Sequence, residues 1–556
     1  MKTLIITTGI LLSVSIFLKS QSCDRYFETT LTYHNEFLNI HYDDVVTGNY
    51  YKIFHRTTPG ETVNTSLGVI DIKRPIIVIE GYDIFYQESC DEIYADYITY
   101  SNLGDNLRYN GFDIITYNLS APTAALQPNA LVFAKFIEFI NGHKTGDEEL
   151  IIMGASMGGL LTRYALTYME QHDIQHQTKL FMSFDSPQKG AYAPLSMQAL
   201  LTDPAVLLAA LIAAAAQSPD LRYLIDCFLS DGTLQMLTHH VWEIEDGYAY
   251  PPPHHGNFLN ELTSMNSCGG YPINCKRVAI SNGSLNGALQ EGLNLPGNYS
   301  GNPAVWLSID HTGGLIFRGL NTVPGIDNWM LGEGECVYRS ASECNSGNNY
   351  YLKSDGLPLD HAPGGYFEWY EYLVTELNKI NGVTVAIHNN DNACFIPTIS
   401  ALDLNTNNLL LNVGSYTKNQ ILADSPFDDI WWNLNHTNMM HTSYYHPSLG
   451  FDYFALSNFI EDQIYLSQSE NYAQSNLTVS NGTTSSGEKD LYKAANSLSV
   501  DDYTVESGGQ LTIKTGNTIS IYGEFVIETG ATFTAENETI LSRDCNLAGN
   551  LPQFTP

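Results

Sequence analysis

The chain has 556 residues, 44% of them hydrophobic, with 25 basic and 60 acidic side chains and a formal net charge of −35. A chain of this length can bury a large core and usually divides into more than one domain. Such a negative charge repels phosphate backbones and anionic lipid headgroups, which excludes nucleic acid as a partner.

The first 22 residues have the pattern of a secretory signal peptide. Lys2 provides a short basic start, residues 4–18 are apolar, and Ser20 and Ser22 form a small-x-small cleavage site. The apolar run is too short and wrongly flanked for a stable membrane span. We therefore predict a protein that is exported and either secreted or held at the cell surface.

Nine cysteines occur in the chain, and export would allow disulfides to form. Cys268 with Cys275, and Cys336 with Cys344, are close enough to close small loops, but spacing alone does not give the connectivity. No two cysteines have CxxC spacing, so no structural zinc site is predicted.

Strand and helix patterns alternate along the first half of the chain. Residues 30–33 alternate in polarity, as edge strands do. More apolar segments predict buried strands at 76–79, 112–117, 151–153, 179–184 and 276–281, with helices at 129–140 and 160–168. This alternation predicts right-handed crossovers and a doubly wound, mostly parallel α/β sheet.

The second half is less regular. Residues 192–270 interrupt the sheet pattern with an alanine-rich helix at 205–216, for which we predict a helical cap; a buried core helix is the alternative. Further predictions are a helix at 367–380, a late strand of the sheet at 394–404 and a closing amphipathic helix at 451–466.

A composition change near residue 467 divides the chain. Residues 467–489 are rich in Ser, Asn, Gly and Thr, which predicts a linker. Beyond it, 505–512 are echoed by 527–534, which predicts a few coils of a small all-β C-terminal module. The predicted divisions are a signal peptide at 1–22, a main domain at 23–466 with its cap at 192–270, the linker, and the module at 490–556.

The stretch around Ser156 carries the most specific chemical signal. An apolar strand runs into Gly154-Ala155-Ser156-Met157-Gly158, and a helix-compatible segment follows at once. A serine nucleophile needs this context, because a sharp strand-to-helix turn lifts its hydroxyl above the sheet. We predict that Ser156 is a nucleophile.

The region from Pro75 to Gly190 resembles an α/β-hydrolase of the secreted lipase and esterase kind. The strand ending in Glu80-Gly81 occupies the place of a His-Gly strand in many lipases, and 186–190 resemble a Thr-Pro-His-x-Gly segment. Finer motifs resemble secreted hydrolases of Bacteroidetes-type bacteria, at 80–83, 126–130, 362–365 and 395–402. The C-terminal repeat is similar to modules of secreted proteins from the same bacteria.

A serine nucleophile needs a histidine base and a carboxylate that orients the base. In this fold the chain order is serine, acid, histidine, and the base follows the last strand. We predict His441, because the segment around it resembles the family's histidine loop; His446 and His436 are alternatives. We predict Asp185 as the acid, since pancreatic-type lipases place theirs after the same strand, with Asp403 and Asp391 as alternatives.

The resemblance also implies two backbone donors for the oxyanion, Met157 at the start of the elbow helix and Tyr82 after the strand at 76–79. No cofactor is implied. No metal is predicted, because His239-His240 and His254-His255 lack an acidic or cysteine partner at ligand spacing. The interpretation is an exported serine hydrolase acting on small-molecule or lipid esters, of unknown oligomeric state. Alternatives are an amidase, peptidase or acyltransferase with the same triad, or a non-catalytic binding protein.

Overall fold

The structure is a computed structural model. It describes residues 23–35, 40–66, 69–83, 88–194, 198, 225–245, 248–288, 290, 306–311, 314–320, 336–340, 350–351, 362–368, 383–388, 392–409, 411–432, 437–441, 453–542, 545 and 551. The predicted signal peptide, the alanine-rich helix at 205–216 and residues 369–380 of the predicted later helix lie outside these ranges.

The first part of the chain alternates strands and helices, as the sequence predicts. In chain order the elements are β1 (Arg25–Asn35), β2 (Ile40–Phe54), β3 (Pro75–Ile79), α1 (Cys90–Ile98), α2 (Leu103–Tyr109), β4 (Asp113–Asn118), α3 (Leu126–His143), β5 (Leu150–Ala155), α4 (Met157–Gln171) and β6 (Thr178–Phe184). A capping box between Ser89 and Glu92 begins α1, because each side chain accepts from a backbone N–H of the other residue.

The middle of the chain contains shorter elements. They are α5 (Asp231–Met236), β7 (Ile244–Glu245), β8 (Tyr248–Ala249), α6 (Pro253–Ser264), β9 (Lys276–Ser281), β10 (Trp306–His311), β11 (Gly314–Leu320), β12 (Cys336–Ser340), β13 (Tyr350–Tyr351), β14 (Gly364–Glu368), β15 (Val383–His388), β16 (Asn392–Pro397), α7 (Thr398–Ala401), α8 (Lys418–Leu422), β17 (Asp429–Trp432) and α9 (Tyr453–Leu466). Helix α9 confirms the predicted closing helix.

Eight strands form the main sheet, in the order β1-β2-β4-β3-β5-β6-β9-β17. The first two junctions are antiparallel and the other five are parallel. Successive side chains of β3 enter different hydrophobic clusters, Ile77 and Ile79 on one face and Ile76 and Val78 on the other. Burial on both faces explains why the parallel strands are apolar throughout rather than alternating.

The predicted late strand at 394–404 is wrong as a member of this sheet. Strand β16 ends at Pro397 and pairs with β14 in a separate two-stranded sheet, and α7 follows directly. The last strand of the main sheet is β17, which pairs in parallel with β9. The predicted helix at 367–380 is also wrong at its start, because Phe367 lies in β14.

Two helices lie within the predicted cap segment 192–270. Helix α6 buries Phe258 and Leu262, and the Phe258 ring stacks on Tyr164 of α4 at a centroid distance of 5.9 Å. Helix α5 contacts α3. These described helices therefore pack against the helical layer that covers one face of the sheet.

The chain continues with β18 (Tyr472–Ala473), β19 (Asn476–Thr484), β20 (Lys489–Ala494), β21 (Ser497–Val505), β22 (Gln510–Thr515), β23 (Thr518–Ile527), β24 (Thr532–Asn537) and β25 (Leu541–Ser542). Two three-stranded parallel sheets, β19-β21-β23 and β20-β22-β24, share a small core. Val505 pairs with Ile527, and Thr512 with Thr534. The linker prediction is wrong for residues 476–484, because they form β19.

Two disulfides join distant parts of the chain, Cys23 with Cys90 and Cys268 with Cys545. The predicted pairing of Cys268 with Cys275 is therefore wrong. The predicted pairing of Cys336 with Cys344 involves a residue, Cys344, that lies outside the described residues. Among the residues that the structure describes, no helix has the length and apolar character needed to cross a membrane.

Candidate active site

Ser156 lies in the turn between β5 and α4, with φ 50° and ψ −124°. Its backbone N–H donates to the Phe184 carbonyl oxygen at 2.8 Å, which ties the turn to β6. A Cβ on Gly154 would come within 2.5 Å of the Gly159 Cα, and one on Gly158 within 2.3 Å of the Glu80 carbonyl oxygen. These close backbone contacts are the physical reason for glycine on both sides of the serine.

The structure brings the predicted nucleophile, base and acid together. The His441 Nε2 atom lies 2.8 Å from the Ser156 Oγ atom, and the His441 Nδ1 atom lies 2.7 Å from Asp185 Oδ2. Ser156 is 9% exposed, His441 6% and Asp185 0%. In this geometry the imidazole can take a proton from the serine on one nitrogen while donating to the carboxylate from the other.

Asp185 follows β6 directly, and its backbone is held in an unusual conformation with φ 42°. Its N–H donates to the Ile280 carbonyl oxygen at 2.7 Å, and its Oδ1 accepts from the Asn282 N–H at 2.9 Å. A Cβ on Gly365 would lie 2.1 Å from Asp185 Oδ2. The carboxylate is therefore held by a neighbouring strand end and by a close glycine contact.

The loop that carries His441 is anchored to two other segments. The His441 N–H donates to the Tyr366 carbonyl oxygen at 2.6 Å, and the Met439 N–H donates to the Asn282 carbonyl oxygen at 3.0 Å. The Phe395 ring meets the imidazole edge-on, with centroids 4.8 Å apart. The ring orientation of His441 thus depends on residues that lie before it in sequence.

Asn282 is a site residue that the sequence analysis missed. Its side-chain Nδ2 donates to the carbonyl oxygens of His441 at 3.0 Å and Met440 at 3.2 Å, while its backbone N–H donates to Asp185. One residue therefore holds both the acid and the histidine loop. Its position directly after β9, at the carboxyl edge of a predicted parallel strand, was the available signal.

The two predicted oxyanion donors lie on segments that meet at the serine, the start of α4 and the end of β3. Met157 is the first residue of α4. Tyr82 follows Gly81, where a Cβ would lie 2.9 Å from the Ser156 Cβ, so the end of β3 passes close to the nucleophile. Their assignment as oxyanion donors stays a prediction.

The loop after β3 is braced by two side chains. The Tyr82 hydroxyl donates to the Cys227 carbonyl oxygen at 3.3 Å and lies 2.9 Å from Ser230 Oγ. Burial raises the pKa of Tyr82 well above its usual range, so the hydroxyl stays neutral. The buried Glu80 carboxylate accepts from Asn118 Nδ2 at 3.0 Å and also from the Leu119 N–H, which joins the ends of β3 and β4.

The alternative acid Asp403 is engaged elsewhere. Its Oδ2 accepts from the Tyr271 hydroxyl at 2.6 Å and lies 3.5 Å from the buried Arg163 guanidinium. Lys189 is 3.7 Å from its other oxygen. Asp403 thus belongs to a cation network around α4. Asp391, His436 and His446 lie outside the described residues.

The double histidines pack in the segment around α5 and α6. Burial, then the neighbouring His255, lowers the pKa of His239 to about 4, and burial, then His254, lowers that of His240 to about 4. His255 Nδ1 lies 2.8 Å from the Gln235 carbonyl oxygen. The rings of His239 and His240 are therefore neutral near pH 7.

No family model and no curated protein matches this chain. A lipase of Bacillus licheniformis in its propeptide form is similar at 14% identity over 42% of this chain and 39% of its own, with a TM-score of 0.26. An esterase of Pyrobaculum calidifontis has 10% identity over 50% of this chain and 73% of its own, with a TM-score of 0.24. A carboxylesterase from a metagenomic library has 8% identity over 49% and 76%, with a TM-score of 0.24.

The chain therefore spans well under half the length of the first of these solved structures. The similarities are remote, at 8% to 14% identity. The mostly parallel sheet, with its turn from β5 into α4 at Ser156, is compatible with an α/β-hydrolase fold.

Proposed function

We propose that the protein is a serine hydrolase that cleaves carboxylic esters through an acyl-enzyme on Ser156. The observation that carries the proposal is the continuous line of hydrogen bonds from Ser156 Oγ through His441 to Asp185. A serine hydroxyl is a weak nucleophile by itself, and a base held in one tautomer by a carboxylate is the usual means of activating it.

The reaction proceeds in two halves. Ser156 Oγ attacks the ester carbonyl carbon while its proton passes to His441 Nε2, and the Asp185 carboxylate stabilises the imidazolium that forms. The leaving alkoxide then takes that proton from His441, which leaves an acyl ester on Ser156. A water molecule, deprotonated by His441, attacks this ester; the acyl group leaves as the carboxylic acid, and His441 returns its proton to Ser156 Oγ.

The negative oxygen that forms in each half needs hydrogen-bond donors in place beforehand. The N–H groups of Met157 and Tyr82 are proposed for this role, and loss of one such donor costs about 3 kcal/mol of transition-state stabilisation. The bracing of Tyr82 by the segment that contains Cys227 and Ser230 supports this, because a donor on a loose loop would have to be ordered in each cycle.

We further propose that the protein works outside the cytoplasm. The pattern of residues 1–22 favours export, and the two disulfides are of the kind that persists in oxidising compartments. The proposed organisation keeps a main domain at 23–466, a cap drawn from 192–270 and a C-terminal β module. The proposed substrates are small-molecule or lipid esters.

The test is labelling by a fluorophosphonate probe combined with hydrolysis of p-nitrophenyl esters from acetate to palmitate. We expect wild type and the exposed-serine control Ser480→Ala to be labelled and active. Ser156→Ala should be unlabelled and at least about a thousandfold slower. Folded wild-type protein that neither reacts with the probe nor turns over an ester would contradict the proposal and favour a non-catalytic binding protein.

A further inference from the structure

The hairpin of β1 and β2 carries three metal-ligating side chains on one outer face. His34 on β1 pairs directly with His41 on β2, and their rings meet edge-on with centroids 3.9 Å apart. Asp43 Oδ1 lies 3.1 Å from His34 Nε2, and its Oδ2 lies 2.6 Å from His41 Nε2. One carboxylate therefore meets both imidazoles.

A β-bulge places Asp43 in that position. Leu31 pairs with Val45 and Tyr33 with Tyr42, so two residues of β2 oppose the single residue Thr32. The second of them, Asp44, has φ 50°, and its carboxylate accepts from the Thr32 hydroxyl at 2.9 Å. Bulges of this kind change the direction of a side chain, and here the preceding Asp43 is directed to the histidine pair.

The hairpin packs on the core through its other face, so the cluster of His34, His41 and Asp43 faces solvent. Tyr33 and Tyr42 are partly buried and pack against the main hydrophobic core. The side chains of His34, His41 and Asp43 are 45%, 62% and 68% exposed. The three ligand atoms lie within 4.8 Å of one another, and no other group of three or more such residues does so among the described residues.

We propose that His34, His41 and Asp43 bind a divalent first-row transition-metal ion. Zinc is the ion that we expect to bind there. Two imidazole nitrogens and one carboxylate oxygen are ligands that zinc accepts, and three protein ligands leave one position of a tetrahedral ion open. Each ring would bind through Nε2 and carry its proton on Nδ1. The chain's net charge of −35 also favours cations at its surface.

The site lies beyond the edge of the sheet that is formed by the carboxyl ends of the parallel strands, the edge at which Ser156 lies. Tyr50 of β2 pairs with Asn118 at the carboxyl end of β4, so the chain before Tyr50 continues beyond that edge. Asp43 is seven residues earlier, or roughly 23 Å along an extended strand. A bound ion would join the two strands near the tip of this hairpin and would be separate from the ester chemistry.

Calorimetric titration of chelator-treated protein with zinc chloride tests the proposal. We expect saturable binding of one ion to wild type and to the control His172→Ala, whose exposed ring is bonded to its own helix. His34→Ala, His41→Ala and Asp43→Asn should each bind at least tenfold more weakly. Wild-type protein without saturable binding, or His41→Ala with wild-type affinity and stoichiometry, would overturn the proposal.

A copper titration followed by electron paramagnetic resonance gives a second readout that does not depend on the heat signal. Wild type should show coordination by two nitrogens, and His34→Ala by one. An unchanged spectrum in that variant would place the ion elsewhere. Circular dichroism on each variant shows that the fold is retained, which is expected because all three side chains are exposed.

Discussion

The two edges of the eight-stranded sheet are held by different kinds of contact. At the carboxyl edge, directional hydrogen bonds among Ser156, Asp185, Asn282 and His441 join segments up to 285 residues apart. At the amino edge, two lysines of the C-terminal β segment pair with carboxylates.

The amino-edge contacts involve residues just before the parallel strands. Lys493 Nζ lies 2.5 Å from Glu149, Lys489 Nζ 2.6 Å from Asp147, and the Gln177 side chain donates to the Lys489 carbonyl oxygen at 2.6 Å. Ion pairs tolerate small displacements, whereas proton transfer does not. The comparison predicts that changes at the carboxyl edge alter turnover and that changes at the amino edge alter stability.

The largest expected effect is at His441. His441→Ala removes the proposed base, so kcat should fall by about three decades or more while the fold is retained. Steady-state kinetics with a p-nitrophenyl ester, beside circular dichroism, provide the measurement. His172→Ala, an exposed histidine at the end of α4, is the control and should be fully active. Near-wild-type turnover of His441→Ala would transfer the proposed role to His446.

The second largest effect is expected at the amino edge, on stability and not on turnover. In the Lys493–Glu149 pair the side chains are only 7% and 14% exposed, and Lys493→Met would leave Glu149 buried without its closest cation. We expect the free energy of unfolding to fall by about 3 kcal/mol, with kcat unchanged. Urea unfolding measures the first and ester hydrolysis the second. The exposed pair of Lys135 with Glu138 supplies the control Lys135→Met, for which less than about 1 kcal/mol is expected.

Low pH should reduce the contribution of the Lys493–Glu149 pair to the free energy of unfolding. Burial raises the pKa of Glu149, but the ammonium groups of Lys493, Lys179 and Lys144 together outweigh burial, and the net pKa is lowered from 4.5. A carboxylate with a depressed folded-state pKa contributes stability that is complete above the unfolded value and is lost as the pH falls through the folded one. The difference between wild type and Lys493→Met should therefore narrow below about pH 4.5. A difference that stays constant down to pH 3 would contradict this account of the pair.

The smallest effect is at Asn282. Asn282→Ala removes two hydrogen bonds to the histidine loop but keeps the backbone N–H that reaches Asp185. We expect about a tenfold lower kcat with KM little changed, since a lost hydrogen bond of about 1.4 kcal/mol corresponds to that ratio. Asn110→Ala, at the exposed end of α2, is the matched control. Equal kcat in the two variants would show that Asn282 has no positioning role.

Local patterns in the sequence were sufficient for the framework of the site. The parallel strands are buried on both faces, so their apolar runs identify them directly, and the glycines around Ser156 mark the turn between β5 and α4. The predictions that Asp185 and His441 lie beside Ser156 depended on chain order and resemblance.

Pairing over long distances in sequence could not be predicted in the same way. Pro397 within residues 394–404 disfavours a central strand, and β16 ends there, but no local pattern indicates that β16 pairs with β14. The segment Asp429–Trp432 is only four residues long and has no distinct strand pattern in the sequence, although it pairs with β9. Likewise, the His34, His41 and Asp43 cluster depends on hairpin register and a bulge.

The bond between Cys268 and Cys545 has a consequence for the order of events during synthesis. Cys23 and Cys90 are 67 residues apart, whereas Cys268 and Cys545 are 277 apart. The first pair can close early on a growing chain, but Cys268 must wait until residue 545 has emerged. During that interval Cys275, seven residues away, is its nearest competing thiol in sequence. In a chain truncated before Cys545, Cys268 would lack its partner and could still react with Cys275. Formation of the Cys268–Cys545 bond therefore requires that the C-terminal segment has been synthesised.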